Sequence, residues 1–225
     1  MTSVKTPADE AEARAIQDEL RSRVVFGEAG PPVGQGLVAG VDVAYDDERD
    51  LVAAAAVVID GATLRVVEEA TAVGQVSFPY VPGLLAFREL PTVLAALDAL
   101  TATPDLVVCD GYGLAHPRRF GLACHLGVVT GLPAMGVAKN PFTFTHEEPG
   151  TRRGDFAALR ADDGTEVGRA VRTQDGIKPV YVSVGHRVTL DNACAHALAL
   201  SPRYRIPETT RLADSLCRKA LKAAG

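Results

Sequence analysis

Residues 37–73 read LVAGVDVAYDDERDLVAAAAVVIDGATLRVVEEATAV, and the fold is decided in this stretch. In LVAGVDVAY (37–45), Leu37, Ala39, Val41 and Val43 alternate as in a half-buried strand. LVAAAAVVI (51–59) and TLRVVEEATAV (63–73) follow, joined by Asp60-Gly61 and Ala62, a short glycine-containing connection that marks a hairpin. Three consecutive strands in an antiparallel meander are expected. Inside the first stands Asp42, facing opposite to Val41 and Val43, although Asp is depleted in strand interiors.

Upstream, Thr6-Pro7-Ala8-Asp9 reads as a helix start, with Thr6 as cap and Pro7 at the first helical position. Ile16, Leu20 and Val24 carry its apolar stripe through about Phe26, and residues 27–36 form a loop. Downstream, VSFPYVP (76–82) leads into a helix from Gly83 to Leu100, interrupted or kinked at Pro91. PDLVVCD (104–110) reads as a buried strand, HPRRFGLACHLGVVTG (116–131) as helical from about Arg118, and AMGVAK (134–139) as another short strand. Residues 141–165 read as a polar loop, EVGRAVR and KPVYVSVG as strands, and TLDNACAHALAL and ETTRLADSLCRKALKA as terminal helices. The expected architecture is one α/β domain over residues 1–225, its mixed central sheet flanked by helices.

Composition agrees: 225 residues, 47% hydrophobic and 23% charged, suit a globular chain able to bury a core without disulfides or structural metal. No apolar stretch approaches the ~20 residues of a membrane span, and the acidic N-terminus lacks a secretory pattern. A cytoplasmic protein is therefore expected; a monomer is expected too, although the sequence itself gives no oligomeric state. The net charge of −5 is unevenly spread: residues 1–50 hold 11 acids and 5 bases, whereas His116 to Gly225 hold 16 bases and 10 acids. That leaves room for a basic face meeting a phosphate backbone, or for a chance distribution over a solvated surface. Cys109, Cys124, Cys194 and Cys217 form no CxxC pair, and HExxH, GxSxG and GxxxxGK[ST] are all absent, which removes the strongest zinc, triad and P-loop signals.

Several acids sit where acids are costly. Glu89 falls within the apolar arc of Leu85, Leu90, Val93, Leu97 and Leu100. Asp110 closes the apolar run DLVVCD at the carboxyl end of a strand, where ligands gather in α/β sheets. Asp214 borders the stripe of Leu212, Leu216 and Ala220. Singly, each has a plainer reading: an edge-strand Asp at 42, a phase shifted by Pro91 at Glu89, an Asp-Gly turn at 110, a solvated helix acid at 214. Together they match the carboxylate layout of ribonuclease-H-like nucleases. Clustered carboxylates repel unless a cation neutralises them, and an oxygen-only donor set suits Mg²⁺ better than zinc.

At these residues the chain resembles the endonuclease V family, deoxyinosine-directed nucleases of the ribonuclease-H-like fold. The resemblance runs from VAGVDVAY through FPYVPGLLAFRE, VVCDGYGLAHPRRFG, GVAKN and VSVGHR to RIPETTRLAD. It implies metal-binding roles for Asp42 and Asp110, with Glu89 as third acid acting through a water on the metal, and Asp214 completing the site. Mg²⁺ is the implied ion, with Mn²⁺ able to substitute. His116 and Lys139 match the family's His and Lys near the cleaved phosphate; alone they read as a capping histidine and a surface lysine. Tyr80, stiffened between Pro79 and Pro82, would be the wedge that fills the gap left by an everted base, or else a core aromatic beside Phe78. Gly83, Leu85, Gly111, Gly121 and Leu122 match positions lining the family's hypoxanthine pocket, although the glycines also read as ordinary turn and packing residues.

The implied activity is Mg²⁺-dependent cleavage of the second phosphodiester bond 3′ to a deaminated purine, chiefly in DNA containing deoxyinosine, as part of DNA repair. An inosine-RNA or structure-selective nuclease and a catalytically weakened nucleic-acid-binding module are the alternatives. Two departures bear on selectivity. Asn140-Pro141-Phe142 stands where the family carries Ser-Arg-Leu, and Tyr112 where it has Gln or Asn. The stiff aromatic segment is expected to loosen base discrimination.

Overall fold

The computed structural model describes residues 4–224. The meander forms as expected: β1 (Leu37–Asp46), β2 (Leu51–Asp60) and β3 (Val66–Gln75) pair antiparallel, with Asp42 opposite Ala55 and Ala55 opposite Thr71. The third strand starts at Val66 rather than Thr63. Asp60 Oδ1 accepts hydrogen bonds from the amides of Ala62 and Thr63 and the Thr63 hydroxyl, and Leu64 takes φ 58°, so the turn consumes more chain.

After α2 (Leu85–Asp98), which retains Pro91 inside it, come β4 (Leu106–Cys109), α3 (Leu122–Thr130) and β5 (Ala134–Ala138). β6 (Phe156–Arg160), β7 (Glu166–Val171) and β8 (Val180–His186) precede α4 (Leu190–Ala199) and α5 (Glu208–Ala223). One eight-stranded sheet results, in the order β3-β2-β1-β4-β5-β8-β7-β6. The β1–β4 and β4–β5 pairs are parallel and the others antiparallel, so the sheet is mixed.

β2 is apolar from Leu51 to Ile59, and both its faces are covered. Ala55, Val57 and Ile59 pack with α4 and α5, whereas Ala54, Ala56 and Val58 pack with α2 and α3. The small residues permit close approach. A Cβ at Gly40 would lie 2.3 Å from the Thr209 carbonyl carbon, so glycine there lets the first turn of α5 rest directly on β1.

Several boundaries differ from expectation. α1 spans Glu10–Arg21, not Thr6 to Phe26. Asp9, rather than Thr6, caps it by accepting from the Glu12 amide at 2.8 Å, and Glu12 accepts from the Ala8 amide at 2.7 Å. Beyond its end, the Val25 amide donates to His186 Nδ1 and the Val25 carbonyl accepts from the Arg187 amide, which draws the chain away to β8. α3 begins at Leu122 rather than Arg118, because Arg119 takes φ 56° in the preceding turn. The expected 141–165 loop contains β6, whose edge pairing with β7 outweighs a weak local pattern. α5 buries Thr209, Thr210, Ala213 and Cys217, while the anticipated stripe residues Leu212 and Leu216 are only partly covered.

Candidate active site

β4 ends at Cys109, paired with Val41, while β1 continues to Asp46. The carboxyl edge of this parallel pair is thus a notch, with Asp42 on one strand and Asp110 just beyond the other. β1 is third from the sheet edge, so Asp42 is no edge-strand acid; its side chain is 10% exposed. Asp42 Oδ1 accepts from the Val43 amide at 2.8 Å, but Oδ2 is buried without a hydrogen-bond partner.

Lys139 follows β5 and enters the same notch. Its ammonium pairs with Asp110 Oδ2 and lies 3.8 Å from Asp42 Oδ2. Arg205 holds this lysine's backbone, donating to the carbonyls of Lys139, Lys178 and Pro179. Asp214, in α5 over the β1 face, is paired with Arg218 at 2.9 Å. Glu89 approaches from the other side of the sheet. It is 6% exposed, and its Oε1 accepts from the Tyr45 hydroxyl at 3.0 Å, with the Arg88 guanidinium 4.5 Å above the Tyr45 ring.

The electrostatics follow from burial and crowding. Desolvation, then the charge of Asp110, push the Asp42 carboxyl well above the usual range despite Lys139. Glu89 rises to about 7, chiefly through burial, with the Tyr45 hydrogen bond opposing and Asp110 reinforcing. Burial would lower Lys139, but the hydrogen bond and charge of Asp110, helped by Asp42 and Asp214, raise it overall, so it stays an ammonium. The hydrogen bond from Arg218 holds Asp214 below its ordinary value.

Among the described residues, no three His, Cys, Asp or Glu side chains are grouped closely enough to hold a metal ion. Lys139 instead supplies positive charge between Asp42 and Asp110. The donor set nevertheless fits a hard cation: its oxygens are carboxylates, one is buried and unpartnered, and its anionic form is disfavoured without added positive charge.

Beside the carboxylates opens a cavity of about 420 Å³. Tyr80, Pro82, Gly83, Leu85, Gly111, Gly121 and Leu122 all line it, with Asp110 and His116. Tyr80 is 70% exposed whereas Phe78 is 4% exposed, so Tyr80 is not a core aromatic. A Cβ at Gly121 would meet the Tyr112 carbonyl oxygen at 2.4 Å, so this wall needs glycine to close. His116 lies on the cavity side, buried; its Nδ1 accepts from the Arg118 amide at 3.2 Å and its Nε2 faces Gly83. Desolvation holds it down at about 4, hence neutral.

Sequence reasoning missed Tyr45, Arg205 and Gln17. Gln17 in α1 is buried, and its Nε2 donates to the carbonyls of Gly83 at 2.9 Å and Phe120 at 3.3 Å, tying two walls of the cavity together. A polar residue four positions after Ala13 on the buried helix face is a weak sign of such a role. Nothing in the local sequence marks Arg205.

The comparisons identify the family. The Endonuclease V family model matches residues 18–215. An endonuclease V of Streptomyces avermitilis is 73% identical over 228 residues, covering 100% of this chain and 99% of its own. A crystal structure of the S. avermitilis endonuclease V superposes with a TM-score of 0.95 at 74% identity, covering 97% of this chain and 96% of that one. Endonuclease V of Ciona intestinalis, in complex with a 24mer DNA containing an inosine followed by a ribo-adenosine, gives a TM-score of 0.82 at 27% identity, covering 96% of this chain and 98% of that one. Argonaute of A. aeolicus shares the fold at a TM-score of 0.52 and 15% identity, over 84% of this chain and 29% of its own, consistent with a ribonuclease-H-like architecture. With notch, cavity and exposed Tyr80 in place, and with a match across most of its length, the chain belongs to the endonuclease V family.

Proposed function

We propose that this chain is a Mg²⁺-dependent endonuclease that everts a deaminated purine, chiefly hypoxanthine, and hydrolyses the second phosphodiester bond on its 3′ side, acting in DNA repair. The observation that carries this reading is the Asp42–Asp110 pair, with its unpartnered buried oxygen, bordering a cavity flanked by an exposed aromatic. The Ciona relative's inosine-containing DNA supports the substrate class.

Asp42 and Asp110 would hold Mg²⁺, or Mn²⁺ in its place, with Glu89 and Asp214 adding negative charge nearby. When bound, the ion supplies the Lewis-acid charge that activates water and stabilises the leaving oxygen. Water adds to phosphorus and the P–O3′ bond breaks, leaving 3′-hydroxyl and 5′-phosphate ends. Lys139 remains an ammonium throughout and serves as a fixed positive charge on the phosphate, not as a base. Tyr80 fills the gap left by the everted base. Neutral His116, its ring packed beside Gly83, supports the wedge loop against the cavity.

The test is cleavage of matched DNA and RNA oligonucleotides carrying one inosine, with adenine controls, in Mg²⁺. Cleavage one nucleotide beyond the inosine's own 3′ phosphate in DNA is expected. Cleavage confined to RNA would reassign the substrate, and cleavage of neither would overturn the reading.

A further inference from the structure

The cavity mouth carries a group of rings that the carboxylates do not use. Phe142 stacks against Tyr112 with centroids 5.9 Å apart and planes at 30°, and against His116 at 6.5 Å and 28°. All three rings line the cavity, and Phe142 remains 43% exposed. An aromatic cluster this open has ring surface left to offer a ligand.

The segment bearing Phe142 is tethered. The Tyr112 hydroxyl donates to the Asn140 carbonyl, and Lys178 Nζ donates to Asn140 Oδ1 at 2.9 Å. Pro141, between the tether and Phe142, has its φ fixed by its own ring. Tyr112 therefore sets the position of Phe142 twice, by ring contact and through the main chain two residues earlier. Tyr112 and the Asn140-Pro141-Phe142 segment are thus in contact with each other.

We propose that Tyr112 and Phe142 are specificity-determining residues: a coupled aromatic wall on which the everted base stacks, favouring flat two-ring bases over one-ring bases. This rests on the base-everting reading given above. Stacking scales with overlapped ring area, so a purine gains more from such a wall than a pyrimidine does. On this proposal the stiffness holds a stacking face in place, whereas the sequence alone leads to an expectation of looser discrimination; the experiment below decides between the two.

The experiment measures affinity in Ca²⁺ for strands identical except for one hypoxanthine, uracil or abasic site. It uses the unsubstituted protein, Phe142→Leu, Tyr112→Phe and the double variant. The abasic strand offers nothing to stack and so normalises for phosphate contacts. Phe142→Leu should lower the hypoxanthine-to-abasic affinity ratio by at least about 5-fold, and the uracil-to-abasic ratio by less. Tyr112→Phe, which keeps the ring and loses the tether, should shift the ratios in the same direction by a smaller factor. The double variant should fall short of the product of the two single effects. Equal loss on all three strands, or an unchanged hypoxanthine ratio in Phe142→Leu, overturns the wall. If the unsubstituted protein shows no preference for hypoxanthine, the base-everting reading falls and the wall with it.

Discussion

Asp42 carries a local cost. A buried acceptor without a donor costs on the order of 1–3 kcal/mol, and Asp42 Oδ2 is such an atom. Lys139, 3.8 Å away, relieves it only in part. Tyr80 presents the opposite case, a large aromatic left 70% exposed at the edge of the cavity, where the proposed everted base would leave its gap. Tyr80→Ala should therefore weaken binding to inosine-bearing strands by roughly 5- to 150-fold, the range of a base–aromatic contact, with little change in metal dependence. Titration of a labelled inosine strand checks this, and unchanged affinity would return Tyr80 to a solvent-exposed bystander.

At the scale of elements, the site depends on how closely α5 approaches β1. Gly40 permits that approach, so Gly40→Ala should force α5 off the sheet by driving a Cβ into the Thr209 backbone. Overpacking of this kind costs about 1–3 kcal/mol, and thermal unfolding should register it as a lowered Tm. Alanine otherwise suits a strand better than glycine, so an equal or higher Tm would contradict the packing. The meander and the parallel strands were legible because alternation and apolar runs are local signals. β6 was not: FAALR becomes a strand through the edge that β7 offers it. Asp42, Glu89 and Asp110 stood out because each carboxylate contradicts its apolar surroundings. Gln17 and Arg205 act through main-chain carbonyls far away in sequence, such as Phe120 and Lys139, and no spacing encodes such partners.

For the whole molecule, acid sensitivity has an identifiable source. His125 on α3 is fully buried between Phe87 and Phe120, and neither ring nitrogen has a hydrogen-bond partner. Burial holds it down at about 4 against an ordinary 6.5, so between those values the unfolded chain binds a proton that the folded protein refuses. Its contribution is complete above pH 6.5 and is lost as the pH falls towards 4, by on the order of 3 kcal/mol. Denaturant titrations of His125→Leu should show a flatter decline between pH 6.5 and 4; a slope equal to the unsubstituted protein's would assign acid sensitivity elsewhere. Cleavage as proposed turns on Asp42 and Asp110 acting as cation ligands. Its most direct test is single-turnover cleavage of an inosine-containing strand by Asp110→Asn across a Mg²⁺ titration, paired with a gel shift in Ca²⁺. The variant is expected to fold and bind the strand yet lose cleavage by several orders of magnitude at every Mg²⁺ concentration. Near-normal cleavage by that folded variant would contradict the ligand role.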